Sequence, residues 1–326
     1  MAAQRWIAAA PGPPAAMRWT AFAPPPPGPG EIQVRQAAVG VNMIDTYVIS
    51  GAYRIDPYPL TPGVEGAGTV TAVGAGVTDF KVGDRAGYGG PPLGAYATVR
   101  NMWPGYAVKL PDALSFVGAA AIMIAGLTTQ MMVKRVYPVG RGTKVLVQAA
   151  AGSTGEAIVR WAAHLGAEVF GTVGSAAKAA RARAAGCAHV INYREEDYAE
   201  AVLRLTNGRG VDVSYDGIAK DTFTGAFKAL TPTGMFVTYG QASGPLPPID
   251  LSAVPVTFSN FIARPSVFSF NADRATFLAS MAEVFKALAD GVLDPTPGRT
   301  YPLAEAPRAL DDLVNRRTEG SVVLTV

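Results

Sequence analysis

Residues 144–239 constrain the fold more than any other part of the chain, because short apolar segments alternate there with longer helical ones. The segments 144–148, 168–173, 189–192, 211–215 and 235–239 read as strands, and 157–165, 176–185, 197–205 and 221–230 as helices. Strands this apolar offer water no polar face. Repeated strand–helix units of this kind therefore predict a parallel sheet covered on both sides, a doubly wound α/β domain.

The remainder has a different texture. Residues 31–39 alternate like a strand after the turn-rich Pro24–Pro27 cluster, which is expected to be a surface loop. Residues 66–73 and 95–99 read as further strands separated by turns such as Val82-Gly83-Asp84, so a β-barrel or partly open β domain is expected. A helical stretch, 116–136, leads into the α/β region, and a helix at 273–290 and a strand at 321–326 follow it. The chain has 326 residues, more than the roughly 250–300 at which single cores stop growing. The expected organisation is a β-rich domain of residues 1–127 and 265–326, with a nucleotide-binding domain of residues 128–264 inserted in it.

A net charge of +3 is too small to imply nucleic acid or an acidic membrane surface. The longest apolar run, 116–127, is shorter than the ~20 residues a bilayer core requires, and the N-terminal segment meets Pro11, Pro13 and Pro14 without a signal-peptide layout. A cytoplasmic protein is the simplest expectation. The one cysteine, Cys187, excludes an intrachain disulfide and a multi-thiolate zinc site, and it reads as packing.

The chemistry begins at Val145-Leu-Val-Gln-Ala-Ala-Ala-Gly-Ser-Thr-Gly155, a strand passing through a glycine turn into a helix. The three positions of the G-x-G-x-x-G pattern hold Ala150, Gly152 and Gly155. Gly152 would let backbone approach a pyrophosphate, Gly155 would let helix and strand pack closely, and the helix N-terminus would offer amides to the anion. Gly152, Ser153, Thr154 and Gly155 are thus the candidate phosphate site. An NAD site places an acidic residue about 20 positions beyond such a turn. The corresponding segment, Gly171-Thr-Val-Gly-Ser-Ala-Ala-Lys178, has none, and Lys178 brings positive charge for a 2′-phosphate. Tyr193 and Arg194 follow the third strand. The expected cofactor is NADPH. Ser153 and Glu156 have the spacing of a capping box, which would put a negative charge near the pyrophosphate.

Several further segments carry a resemblance: Gly40-Val-Asn-Met-Ile-Asp-Thr-Tyr47, Pro62-Gly-Val-Glu-Gly-Ala-Gly68, Phe80-Lys-Val-Gly-Asp-Arg85, Val190-Ile-Asn-Tyr-Arg-Glu-Glu196 and Ala263-Arg-Pro-Ser266. With the glycine turn and Gly171-Thr-Val-Gly-Ser175, they make the chain resemble the zinc-free quinone oxidoreductases, zeta-crystallin-like members of the medium-chain dehydrogenase/reductase superfamily. The resemblance spans the chain from about Pro27 onward; residues 1–23 and 89–106 fit it poorly. It implies a Rossmann doubly wound parallel sheet inserted in a GroES-like β-barrel domain. Related alcohol dehydrogenases hold a catalytic zinc through a cysteine and a histidine where this chain has Asn42 and Val64, so no metal is expected. The two histidines, His164 and His189, read as structural.

By position, the resemblance implies that Asn42, Asp45 and Tyr47 line the nicotinamide and substrate cleft, with Tyr53 on the adjoining loop. Asn42, Tyr47 and Tyr53 are the candidate catalytic residues. Gly174, Ser175, Lys178 and Tyr193 would surround the adenosine phosphate, and Tyr239 and Gln241 would face the nicotinamide. Arg316 matches a basic residue near the cofactor, and Thr128 would sit at the domain junction. Residues 260–270 resemble an edge through which relatives form homodimers. The implied activity is NADPH-dependent reduction of a small quinone or α,β-unsaturated carbonyl, with Asn42 and Tyr47 as donors to the developing oxyanion. The alternatives are an enoyl reductase acting on thioesters, and a non-catalytic NADPH-binding sensor or RNA-binding relative.

Overall fold

The computed structural model describes residues 2–55, 57–249 and 259–326. Two compact units emerge: Met1–Leu127 with Asn271–Lys286 and Asp294–Val326, and Thr128–Phe270 with Ala287–Leu293. Residues 265–270 and 287–293, expected with the barrel, fall in the second unit.

In the first unit, β1 (Ala3–Ile7) and β2 (Arg18–Phe22) form an antiparallel hairpin. The main sheet comprises β3 (Ile32–Val41), β4 (Glu65–Val73), β5 (Arg85–Gly89), β6 (Val99–Met102), β7 (Ala107–Lys109), β14 (Arg299–Pro302) and β15 (Val322–Thr325). Its order is β14-β15-β3-β4-β5-β7, with β6 also on β3. Long β3 is the hub: Ile32, Val34, Val39 and Val41 point into a core shared with Val70, Tyr88, Tyr96, Met102 and Leu324. The N-terminal hairpin, where the family resemblance is poor, is anchored by Trp6, whose indole N–H donates to Leu303 O at 2.8 Å while its ring packs on Trp19. Helix α1 (Met43–Ser50) follows β3 directly, and α8 (Arg274–Ala289) and α9 (Ala306–Val314) precede β14 and β15 respectively.

One expected strand is misplaced. Residues 95–98 precede the strand, β6, which begins at Val99. The carbonyls of Ala95 and Ala97 accept instead from the Gln36 side chain, and Tyr96 O accepts from Trp6 N. A buried side chain has taken the place of a strand partner.

In the second unit, β8 (Lys144–Val147), β9 (Glu168–Val173), β10 (His189–Asn192), β11 (Val211–Asp216), β12 (Leu230–Thr238) and β13 (Phe261–Ala263) form one parallel sheet in the order β10-β9-β8-β11-β12-β13. Helices α3 (Ser153–His164), α4 (Ala176–Ala184), α5 (Tyr198–Leu205) and α6 (Phe223–Lys228) connect its first five strands, and short α7 (Val267–Phe270) follows β13. Leu146, Phe170, Ile191, Val202 and Phe236 are buried together, as covered parallel strands require. The strand order reverses between β8 and β11, and the ends of those strands form the crevice where such sheets bind ligands.

The helical run ahead of the α/β unit spans Phe116–Val136, on the residues expected. Helix α2 (Phe116–Gln130) widens into a π turn at Met131–Val136, so the whole is 21 residues, and its most apolar 18-residue window has mean hydropathy 1.7. By length and composition it would pass for membrane-spanning, but 89% of that window is buried inside the protein, as in a core helix.

Candidate active site

The glycine turn leaves β8 under close backbone control. Gln148 N donates to Tyr215 O and Ala150 N to Thr172 O, both at 3.0 Å, which ties the turn to strands on either side. Ala149 adopts φ 53°, the left-handed region that L side chains rarely occupy. A methyl at Gly155 would lie 2.3 Å from Ala149 O, so only glycine lets α3 start this close to the strand.

The expected capping box does not form. Gly152 is the N-cap of α3, with no side chain to occupy the first-turn amides. The Glu156 carboxylate, buried in the first turn, pairs with Arg160 at 2.9 Å and with Arg181 of α4. Its charge, expected to oppose a pyrophosphate, is neutralised by two guanidinium groups. The sequence alone placed Arg181 on another helix, too far along the chain to suggest the pairing.

Beyond β9, Ser175 caps α4, its hydroxyl accepting from Lys178 N at 3.3 Å. Tyr193 N donates to Val173 O, and the tyrosine lies beside Gly174, where a methyl would approach its hydroxyl to 2.4 Å. Gly174, Ser175, Lys178 and Tyr193 thus gather at one corner of the sheet, and residues 174–178 carry no carboxylate. Beyond β12, Tyr239 N donates to Asp216 O, with the ring against Gly217, and Gln241 O accepts from Gly244 N. Asp216, missed in the sequence, organises this end. Its buried carboxylate accepts from Ile218 N, Ala219 N and the Thr222 hydroxyl, and burial raises its pKa despite these donors. Thr128 is buried near the end of α2.

In the first unit, Asn42 is the N-cap of α1 and half-buried. Its backbone N–H donates to Asp45 Oδ2 at 2.8 Å, and its side-chain amide donates to Glu65 Oε2 at 2.7 Å. Glu65 Oε1 accepts from Ile124 N, inside α2, also at 2.7 Å. Tyr96 donates its hydroxyl to Asp45 Oδ2 at 3.0 Å. Asp45, expected to line the cleft, is instead completely buried. As the third residue of α1's first turn it folds back onto Asn42, out of contact with solvent. Desolvation pushes the Asp45 carboxyl up to about 7 and that of Glu65 up to about 8, although each accepts hydrogen bonds. A second buried group adjoins them: Tyr88 donates to Gln36, and Arg100 stacks over the Tyr88 ring. No local pattern announced this polar network, because its members come from distant segments.

Tyr47 and Tyr53 meet, with ring centroids 5.0 Å apart and Tyr53 N donating to Tyr47 O. Arg316 belongs to the first unit, in an exposed turn after α9 with φ 60°. Val64 is buried and aliphatic, and among the described residues no three His, Cys, Asp or Glu side chains cluster to hold a metal. Cys187 is buried, which pushes its thiol up to about 12, and its sulfur fills space that a methyl at Gly171 would need. His189 stacks on Phe170 and meets Glu168 at 2.9 Å.

Comparison with known proteins places these units. Residues 28–112 match the alcohol dehydrogenase GroES-like domain family, and residues 154–296 the zinc-binding dehydrogenase family. A quinone oxidoreductase of Pseudomonas aeruginosa is 42% identical over 298 residues, covering 91% of each chain. A 2-haloacrylate reductase of Burkholderia is 41% identical over 303 residues, again covering 91% of each. The crystal structure of Escherichia coli quinone oxidoreductase complexed with NADPH superposes with a TM-score of 0.96 at 38% identity, covering 99% of this chain and 100% of that one. With such identity sustained along both units, the chain belongs to the quinone oxidoreductases of the medium-chain dehydrogenase/reductase superfamily and is an oxidoreductase.

Proposed function

We propose that the protein reduces quinones or α,β-unsaturated carbonyls with NADPH and without zinc. The observation that carries this reading is the corner formed by Gly174, Ser175, Lys178 and Tyr193. A carboxylate would repel a 2′-phosphate there, and this corner has a lysine, a hydroxyl cap and an aromatic ring instead. NADPH, when bound, supplies the hydride.

The chain's own residues supply binding and orientation. Gly152, Ser153, Thr154 and Gly155 would hold the pyrophosphate on the amides of α3, undisturbed by the neutralised Glu156. Thr128, Tyr239 and Gln241 would bound the nicotinamide end, and Arg316 would add positive charge toward the cofactor. Asn42, through the amide hydrogen that Glu65 leaves unused, and Tyr47, through its hydroxyl, would donate to the acceptor oxygen as negative charge gathers on it. Tyr53, packed on Tyr47, would hold that ring in place. The barrel unit would thus serve the acceptor and the Rossmann unit the cofactor.

A homodimer fits strand β13, whose Phe261 and Ile262 are exposed at the sheet edge, since pairing would cover an apolar edge. A cytoplasmic setting, with no membrane or nucleic-acid partner, accords with the buried long helix and the small net charge.

Fluorescence titration with NADPH and NADH, followed by turnover with 1,4-benzoquinone, a simple enone and an enoyl thioester, tests the reading. Tighter NADPH binding and turnover of quinone or enone are expected; turnover confined to the thioester would reassign the substrate, and no binding would end the proposal. Lys178→Ala is expected to weaken NADPH about 10–100-fold, the worth of one charge-assisted contact, and to leave NADH unchanged. Equal losses for both cofactors would remove Lys178 from 2′-phosphate recognition.

A further inference from the structure

Resting on the reading above, we propose that Glu65 is a positioning residue for the reduction: its buried carboxyl grips one N–H of the Asn42 side chain and so sets the direction of the second. A carboxamide is planar, so fixing one N–H fixes the plane, the remaining N–H and the carbonyl together. The remaining N–H is the donor available to an acceptor oxygen.

The grip is well built. Each Glu65 oxygen has its own donor, Asn42 Nδ2 on Oε2 and Ile124 N on Oε1, both at 2.7 Å, so the carboxyl cannot rotate without breaking a bond. Gly40, on the neighbouring strand, makes the arrangement possible. A methyl there would lie 2.3 Å from Glu65 Oε2 and 2.4 Å from Ala120 O. Asn42 is also held at its backbone, where Asp45 Oδ2 accepts its N–H and its carbonyl accepts from Asp45 N. Glu65 and Asp45 are buried while Asn42 is half-exposed, so among these three Asn42 alone is placed to touch an acceptor. Side chains held this way are pre-organised, and small displacements of a donor cost rate far more than they cost binding.

A carboxyl that served stability alone would bear on the melting temperature and leave turnover untouched. The test is a double-mutant cycle on the full chain, using NADPH and 1,4-benzoquinone, with kcat, KM, NADPH affinity and melting temperature measured for each protein. Glu65→Gln is expected to lower kcat about tenfold, with KM and NADPH affinity within about twofold of the parent. Asn42→Ala should lower kcat at least as much. The double variant should be no slower than Asn42→Ala alone, because Glu65 acts only through Asn42. An unchanged kcat in Glu65→Gln, or losses that multiply in the double variant, would overturn the proposal. An unsubstituted protein that fails to oxidise NADPH with benzoquinone would overturn the functional reading and this inference with it. Should Glu65→Gln not fold, hydrogen exchange of the Asn42 side-chain amide in the unsubstituted protein decides: slow exchange of one of its two protons supports the grip, and rapid exchange of both overturns it.

Discussion

Gly155→Ala is expected to raise the Kd for NADPH at least about 100-fold, because a single added carbon must displace backbone and not a flexible side chain. The new methyl would lie 2.3 Å from Ala149 O, 3.0 Å from Ala149 C and 3.3 Å from the Ala150 Cα. None of these atoms can swing aside. Ala149 is already in the left-handed region, and its own N–H donates to the Thr172 hydroxyl, while Ala150 N donates to Thr172 O. Relief therefore requires the start of α3 to withdraw from β8, which carries the first-turn amides away from where a pyrophosphate would sit. Gly152→Ala provides the contrast: its methyl would meet only Ala149 O, at 3.3 Å, and a smaller loss is expected. Titration of both variants by NADPH fluorescence, with melting curves alongside, checks the ranking. A Gly155→Ala protein that binds NADPH like the parent would show that the turn can relax after all.

The second large effect is on stability as a function of pH. Asp45 and Glu65 are raised from 3.8 and 4.5 to about 7 and about 8, chiefly by burial. A carboxyl that is harder to ionise folded than unfolded contributes its stability fully below the unfolded pKa. That contribution is lost as pH rises through the window up to the folded pKa, at about 1.4 kcal/mol per pH unit for each group. Glu168 acts in the opposite sense at acid pH. Lys144, and after it His189, hold its carboxyl low, so its contribution is lost as pH falls. The melting temperature should therefore decline between about pH 5 and pH 8. In Asp45→Asn, which cannot ionise, the decline should be smaller by on the order of 3 kcal/mol, or several degrees. Thermal unfolding of parent and variant across this range gives the answer. Parallel curves would mean that Asp45 is already ionised in the folded protein.

Much of the nucleotide-binding unit was legible from the chain. The strands at 168–173 and 189–192 form on the residues expected, and the glycine turn falls at the start of α3. These features are written in neighbouring residues: apolar runs of strand length, helix caps, and a glycine where backbone must pass close to backbone. The missing acidic residue beyond β9 is equally local, so the cofactor expectation could be drawn from it directly.

The buried polar contacts were not legible, and three findings share one cause. Glu156 read as a charge near the pyrophosphate whose direction the sequence left open, and it pairs with Arg160 and Arg181. Asp45 read as lining the cleft, and it is buried against Tyr96. Residues 95–99 read as a strand, and the carbonyls of Ala95 and Ala97 go to the Gln36 side chain. In each case the deciding partner comes from another segment. The parallel sheet, its glycine turn and the carboxylate-free corner are written in short stretches of sequence, because conformational preference and hydrophobic period act over a few residues. Which charges are neutralised, which carboxyls lose their water and which donor Asn42 keeps emerge from the folded chain alone, because desolvation and ion pairing depend on atoms brought together from far apart.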